Sequence, residues 1–248
     1  MHTIDLNCDM GEGLPNDAHL MPCISSANIA CGYHAGNETI MKRTVELALL
    51  NRVAIGAHPG FADKANFGRT EIQLPLEEIY NLVAEQVHLL QIIAERAGAK
   101  LQHVKPHGAL YNMSAKDPAW ATIIAKAVFD LDSNLILFGL SGSHSITEAK
   151  KAGLKTANEV FADRTYQSDG SLTSRSQTNA LIEKAEQSIQ QVLQMIQQQT
   201  VTSIANKQVP IIAETICLHG DGAHAVNFAS AINQALRKFH ISIQPFAH

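Results

Sequence analysis

Short apolar runs rich in β-branched residues alternate along the chain with longer stretches of helical spacing. Eight short runs have the length and composition of strands and lie near 3–8, 27–31, 53–57, 102–106, 135–139, 155–160, 212–218 and 240–244. Six stretches have apolar residues every three or four positions and lie near 37–51, 76–97, 117–130, 144–152, 175–199 and 223–238. This alternation predicts βα units around a parallel sheet.

The stretch 76–97 has the strongest helical pattern. Pro75 precedes it and Gly98 follows it, as is common at the two ends of a helix. Its apolar residues form one stripe: Ile79, Leu82, Val83, Val87, Leu90, Ile93 and Ala94. The stretch 175–199 is instead rich in glutamine, which indicates a solvated helix face running into a polar loop at 200–208.

A chain of 248 residues, 46% of them hydrophobic, can bury one full core, and a single α/β barrel often has this length. We therefore expect residues 1–248 to form one (β/α) barrel domain. The formal charge of −4 comes with dispersed Lys and Arg, which argues against nucleic-acid binding.

The expected location is the cytoplasm, with no membrane association. No apolar run approaches the roughly 18 to 20 residues of a membrane span, and the first residues lack a basic region followed by an apolar one. The four cysteines form no CxxC pair, so we expect reduced thiols.

Polar residues cluster where the predicted strands end. In an α/β barrel the loops after the strands converge on one rim, so residues far apart in sequence meet there. The first such loop, DLNCDMGEG at 5–13, carries four polar candidates: Asp5, Asn7, Asp9 and Glu12. Paired carboxylates suit a hard cation or acid–base chemistry, and the alternative is an Asx turn leading out of the strand.

One histidine follows each of the next two strands. His34 lies in ANIACGYHAGN, where Asn37 is placed to cap the following helix, and His58 ends a strand in GAHPGF. The alternative for each histidine is a core residue with satisfied hydrogen bonds. Their positions beside glycines and turns favour a functional role.

The loop VKPHGALYN at 104–112 is the most informative. Pro106 separates Lys105 from His107, and strand alternation places both side chains on one face. A cation and an imidazole could then address one anionic substrate. The alternative is a strand-end lysine whose ammonium reaches solvent.

Three later strand ends add polar groups. In GLSGSHS, Ser141 and Ser143 precede a helix and could either bind an anion or cap the helix. In NEVFADRTY, Arg164 follows Glu159 and Asp163, which fits either a structural ion pair or a carboxylate-binding group.

The last strand end, ICLHGDG, carries His219 and then Asp221 between two glycines, similar in style to the first loop. Several common motifs are absent from the sequence: GxxxxGK[ST], GxGxxG after a strand, GxSxG and HExxH. The remaining interpretation is a hydrolytic site of carboxylates and imidazoles.

Together these motifs resemble the LamB/YcsF family, from Asp5 through to the final strand. The resemblance implies a hydrolase that acts on a cyclic amide C–N bond, cleaving 5-oxo-L-proline to L-glutamate. It implies ATP as co-substrate and 5-oxoprolinase subunits B and C as partners. It also implies an irregular seven-stranded (β/α) barrel similar to the polysaccharide-deacetylase type.

In the wider superfamily an Asp and two His at strand ends bind a divalent metal, and Asp9, His58 and His107 match these by position. The expected catalytic residues are Asp9, Glu12, Lys105 and His107. The expected substrate-binding residues are Asp5, Asn7, His34, Glu159, Arg164, His219 and Asp221. Lys105 and Arg164 would hold a carboxylate or phosphate.

Two other functions fit the same residues. One is a stand-alone metal-dependent deacetylase or amidohydrolase that needs no partner. The other is a non-catalytic subunit that binds 5-oxoproline while its partners carry out the chemistry.

Overall fold

The strands of the molecule are short, and most of their residues are buried. The computed structural model describes residues 2–219 and 225–246. Its strands are β1 (Thr3–Met10), β2 (Ser26–Ala30), β3 (Ala54–His58), β4 (Leu101–Val104), β5 (Ile136–Leu140), β6 (Lys155–Phe161), β7 (Thr200–Thr202), β8 (Gln208–Pro210), β9 (Thr215–Leu218) and β10 (Ser242–Ile243).

In the described residues, seven strands close a parallel barrel. Neighbours follow the order β1, β2, β3, β4, β5, β6, β9, and β9 pairs again with β1. The outer strand β10 pairs with Thr3 and Ile4, at the start of β1. β7 and β8 form a separate antiparallel pair. The closed ring confirms the expected α/β fold with a seven-stranded barrel.

Helices cover the barrel. They are α1 (Asp17–Leu20), α2 (Glu38–Asn51), α3 (Leu76–Arg96), α4 (Gly108–Lys116), α5 (Pro118–Leu131), α6 (His144–Lys151), α7 (Ala185–Gln198) and α8 (Ala225–Lys238). Within residues 2–219 and 225–246, no helix has both the length and the apolar character needed to cross a membrane.

All eight predicted strands are present within a few residues of their expected bounds, but three other segments differ. Helix α7 begins at Ala185 rather than at 175, because the preceding segment pairs with residues that follow β6, where Ile182 N donates to Asp163 O and Leu181 forms a bridge with Arg164. The expected loop at 104–112 contains the start of α4. The expected polar loop at 200–208 holds most of the β7–β8 pair. Residues 223 and 224 of the last predicted helix lie outside the described residues.

The main apolar core lies between the barrel and its helices. Leu6, Cys8 and Met10, alternate residues of β1, are fully buried in it. Helix α3 adds the predicted stripe, with Ile79 and Leu90 fully buried. Full burial of a large apolar side chain is worth ~1.5–3 kcal/mol. This shell therefore stabilises the ring whose other face carries the site.

The inner face of the barrel is largely polar. Asp5, Asn7 and Asp9 occupy the β1 positions between the apolar ones, and each is buried with hydrogen bonds to other strands. Deeper in the barrel, the His103 ring stacks on Phe138, with ring centroids 4.2 Å apart. The alternation of β1 thus separates an apolar outer face from a polar inner one.

Gly56 of β3 makes room for the His103 ring. A Cβ atom at Gly56 would lie 2.0 Å from His103 Nε2. The ring is held in place by Phe138 on one face and by its hydrogen bond to Asn28 Oδ1 at 2.8 Å.

We therefore predict that Gly56→Ala lowers the free energy of unfolding by ~1–3 kcal/mol through overpacking, measured by urea denaturation. In a His103→Ala background the same change should cost far less, because the obstructing ring is gone. An equal cost in both backgrounds would contradict the packing account.

Candidate active site

The carboxyl ends of the barrel strands surround a cavity of about 830 Å³. Seven of the predicted site residues line it: Asp9, Glu12, His58, Lys105, His107, Arg164 and His219. Four others are buried outside its lining: Asp5, Asn7, His34 and Glu159. Asp221 lies outside the described residues. The structure therefore brings most of the predicted residues to one place.

Lys105 occupies the cavity floor and is only 2% exposed. Its Nζ lies 2.8 Å from Asp9 Oδ1, 3.0 Å from Glu159 Oε1 and 3.0 Å from Cys217 Sγ. Burial lowers the pKa of Lys105, but the nearby Asp9, Cys217 and Glu159 outweigh it and raise the pKa well above its ordinary value. The ammonium is therefore charged, and the alternative of a lysine that reaches solvent is wrong.

Asp9 connects Lys105 to the histidines. Its Oδ1 accepts hydrogen bonds from Lys105 Nζ and from Asn28 Nδ2, the second at 2.8 Å, while its Oδ2 lies 3.3 Å from His58 Nε2. Burial raises the pKa of Asp9, but His58 and Lys105 outweigh it and hold the pKa well below its ordinary value. Asp9 thus presents an ionised oxygen to His58.

Backbone carbonyls fix the orientation of His58 and His107. His58 Nδ1 lies 2.7 Å from Lys105 O, and His107 Nε2 lies 2.8 Å from Phe67 O, so each of these nitrogens donates a proton. The other two nitrogens, His58 Nε2 and His107 Nδ1, are 2.8 Å apart. In neutral rings both carry lone pairs, which repel unless a proton or a metal ion lies with them.

This donor set suits a divalent metal ion. Two imidazole lone pairs and one carboxylate oxygen, from His58, His107 and Asp9, are typical zinc-type ligands. A metal-binding histidine also normally donates its other ring N–H to a carbonyl or carboxylate, as both do here. The residues therefore fit the metal trio expected from the sequence.

A wider grouping of possible ligands is less plausible on geometric grounds. Ligand atoms of Glu12, His34, His58 and His107 all lie within 4.8 Å of one another. However, the His34 and His107 rings are stacked, with centroids 3.8 Å apart and planes only 5° from parallel. An ion in the plane of one ring would lie out of the plane of the other, so the two cannot share an ion in this arrangement.

His34 is packed tightly beside His107. It is 1% exposed, and burial and the nearby His58 lower its pKa to about 3, so the ring is neutral. Glycines leave space for it, since a Cβ atom at Gly60 would lie 2.7 Å from His34 Nδ1 and one at Gly68 would lie 2.8 Å from its Cβ. Its Nε2 lies 3.8 Å from Glu12 Oε1, which is too long for a hydrogen bond.

Near Asp9 and Cys217, whose ligand atoms lie within 4.8 Å of that of His219, His219 forms a pair with Asp163. His219 Nδ1 lies 2.9 Å from both Asp163 carboxylate oxygens, and the His219 backbone N–H also donates to Asp163. Burial raises the pKa of Asp163, but His219 outweighs it and keeps the pKa below its ordinary value. Phe161 stacks on the ring, with centroids 5.7 Å apart. An ionised carboxylate thus orients an imidazole in the cavity wall.

Beneath the floor, Asp5 and Asn7 tie strands together. The Asp5 carboxylate accepts hydrogen bonds from Ser25, Ser26 and Thr215. Asn7 Nδ2 donates to Glu159 Oε1 at 2.9 Å and to Thr215 Oγ1 at 2.6 Å. The structure thus places these two predicted substrate-binding residues, with Glu159, in the support under the cavity.

Arg164 supports the cavity wall. Its Nη2 and Nε donate to the carbonyls of Thr173 and Ala180, and burial and Arg175 lower its pKa to about 10.

The structure also shows whether the two residues predicted to cap helices do so. Asn37 caps α2 by accepting from Ile40 N, whereas Ser143 stands at the N-cap of α6 without a side-chain capping bond.

Four site residues were not singled out as candidates from the sequence: Asn28, His103, Tyr111 and Cys217. Asn28 donates to both Asn7 and Asp9, and Cys217 contacts Lys105 Nζ. Tyr111 lines the cavity. Alternation could have indicated Asn28 and Cys217, since each lies two residues from a residue that also faces inward.

A closed parallel barrel with carboxylates and imidazoles at its strand ends defines an α/β-barrel protein whose fold is similar to the polysaccharide-deacetylase type. A peptidoglycan deacetylase of Bacillus subtilis shares this fold, with a TM-score of 0.50 at 10% identity over 98% of this chain and 87% of that one. The chain belongs to the LamB/YcsF family, whose model matches residues 4–248.

Two relatives are much more similar. A protein of Tolumonas auensis, named as the A subunit of 5-oxoprolinase, is 51% identical over 98% of this chain and 99% of its own length. The crystal structure of a lactam utilization protein from Thermus thermophilus superposes with a TM-score of 0.93 at 37% identity, covering 98% of this chain and all of that one. Both matches extend over the whole barrel.

The ionisation of Asp5 should make stability depend on pH. Burial raises its pKa from 3.8 to about 6, so the folded state binds the proton more tightly than the unfolded state does. This contribution to stability is complete below pH 3.8 and is lost as the pH rises through 6.

Between pH 4.5 and 7.5, the free energy of unfolding of the wild type should therefore fall by ~2 kcal/mol more than that of Asp5→Asn. Urea denaturation at both pH values measures this, with the half-exposed Asp132→Asn as the control. Parallel pH dependence of the wild type and Asp5→Asn would show that Asp5 is not the group that titrates.

Proposed function

We infer that this chain is the A subunit of an ATP-dependent 5-oxoprolinase, a hydrolase that opens the lactam ring of 5-oxo-L-proline to give L-glutamate. The observation that carries this inference is the 51% identity, over nearly the full length, to a protein of that name. The cavity supports it, because its floor combines carboxylates, imidazoles and an ammonium suited to amide hydrolysis.

ATP and two partner subunits, B and C, complete the proposed reaction in the cytoplasm. A five-membered lactam is an unreactive amide, so its opening benefits from coupling to ATP hydrolysis. Phosphorylation of the amide oxygen would make the lactam carbon more electrophilic, so that water addition and C–N cleavage give an acyl phosphate, whose hydrolysis releases glutamate and phosphate. We assign this activation to the partner subunits, since this sequence carries no P-loop motif. The present chain then directs water at the activated carbon.

Asp9, His58 and His107 are the proposed centre for water attack. Their fixed lone pairs converge beside the cavity, and Asp9 is held ionised by His58 and Lys105. A divalent ion bound by these three residues would supply Lewis-acid activation and lower the pKa of water. Lys105 acts here through Asp9, because its ammonium is already surrounded by acceptors of the floor.

The pair of His219 and Asp163 is proposed to protonate the leaving ring nitrogen. Asp163 holds His219 Nδ1, so the protonated ring can donate from Nε2 while the carboxylate stabilises its positive charge. Arg164 is proposed to keep the adjacent wall in place for the substrate carboxylate or phosphate, since its bonds to Thr173 O and Ala180 O fix that segment.

The proposed function predicts glutamate formation from 5-oxoproline and ATP when this chain is mixed with subunits B and C. Neither this chain alone nor the two partners alone should release glutamate, because activation and hydrolysis are assigned to different subunits. Chromatographic measurement of glutamate in the three mixtures tests this. Cleavage of acetylated sugars by this chain alone, with no turnover in the mixture, would favour the deacetylase alternative instead.

The metal assignment predicts that purified protein binds about one equivalent of a zinc-type ion and that Asp9→Asn and His107→Ala lose it. Each change should lower turnover with intact partners by roughly 10²-fold or more. Elemental analysis and the glutamate assay measure the two effects, and the exposed His88→Ala serves as the control. Full turnover in metal-free protein would refute the metal assignment.

A further inference from the structure

His34 has an unusual environment for a buried polar side chain. It is 1% exposed, and neither ring nitrogen has a hydrogen-bond partner in the part of the chain that the structure describes. Buried polar atoms are nearly always hydrogen-bonded, because leaving them unpaired is unfavourable. A histidine at this position therefore points to a group that is bound during function.

Packing alone does not require the nitrogens. The ring stacks on His107 and meets His58 and Phe67 edge to face, with centroid distances of 5.5 and 5.9 Å. Gly60 and Gly68 close around it. A phenylalanine ring could make the same stacked and edge contacts without burying unpaired nitrogens.

The distance between His34 and Glu12 suits one bridging water molecule. Glu12 Oε1 lies 3.8 Å from His34 Nε2 and also 3.8 Å from His107 Nδ1. These gaps are too long for direct hydrogen bonds, but a water oxygen at ~2.8 Å from both Glu12 Oε1 and His34 Nε2 would bridge that pair. A shared metal ion is excluded because the two histidine rings are stacked in parallel.

We propose that His34 Nε2 and the Glu12 carboxylate hold the water molecule that attacks the lactam carbon. This inference rests on the proposed function. The water oxygen forms the new bond to carbon, and its proton passes to Glu12. The electron pair of the broken C–N bond remains on the ring nitrogen, which takes a proton from His219. The new hydroxyl loses its proton to solvent as the carbonyl forms, so the product is an acyl phosphate, which a second water molecule hydrolyses to glutamate and phosphate. His34 is thereby a catalytic residue that positions water, in place of the substrate-binding role expected from the sequence.

The test compares His34→Phe with the wild type, both as full chains mixed with subunits B and C. The midpoint of urea denaturation should stay equal or rise, since the unpaired nitrogens are removed. The kcat for glutamate release should fall by roughly 10²-fold or more, while KM for 5-oxoproline changes less than about twofold. His88→Phe, at an exposed site on α3, should leave both constants unchanged.

The kcat of Glu12→Gln tests the same proposal independently of how His34→Phe folds. It should lower kcat to a similar extent, and the double variant should be little worse than either single one, because the two residues act as a unit. Additive losses in the double variant would overturn the proposal.

Other outcomes also separate the possibilities. Wild-type kcat in His34→Phe, or a raised KM with unchanged kcat, would refute the water-holding role while leaving the proposed function intact. Wild-type kcat in Glu12→Gln would refute the water-holding role even if His34→Phe lost stability through overpacking of its larger ring. No turnover in the wild-type mixture would instead refute the proposed function itself.

Discussion

The ammonium of Lys105 lies inside the barrel, paired with the carboxylates of Asp9 and Glu159. Burying an ion costs several kcal/mol unless its partners are held in good geometry. Here Asp9 lies in β1, Glu159 lies in β6 and Lys105 directly follows β4. Closure of the ring therefore sets the ion pairs, and the ion pairs in turn fix the site. His58 and Lys105 together hold the pKa of Asp9 well below its ordinary value.

The net charge of the cavity floor explains why two imidazoles face Asp9 and why the deeper Asp5 is protonated. Two carboxylates face one ammonium, so the local surplus is negative and favours one further positive charge beside Asp9 Oδ2. The lone pairs of His58 and His107 converge at that point. Asp5 lies deeper in the barrel. It does not add a further negative charge, because burial favours its protonated form.

The sequence pattern predicted the strands well, because β-branched runs between helical stretches leave few alternatives. The predicted first strand, near 3–8, ended before Asp9, whereas β1 extends to Met10, and the polar Asp9 faces the inside of the closed barrel. The start of helix α4 was not predicted, because Pro106 lies only two residues before its first residue, Gly108, and suggested a loop. The contact of Lys105 with Cys217 joins residues 112 positions apart, and no local pattern encodes it.

Strand β1 closes the barrel, since it pairs with β2 on one side and with β9 and β10 on the other. One hydrogen bond between β1 and β9, from Asn7 to Thr215, joins residues 208 positions apart in sequence. Contacts between such distant segments form late, because the entropy of closing the intervening chain opposes them. A nascent chain on the ribosome therefore lacks the site until β9 has emerged, and ring closure and catalytic competence arise together as one folding event.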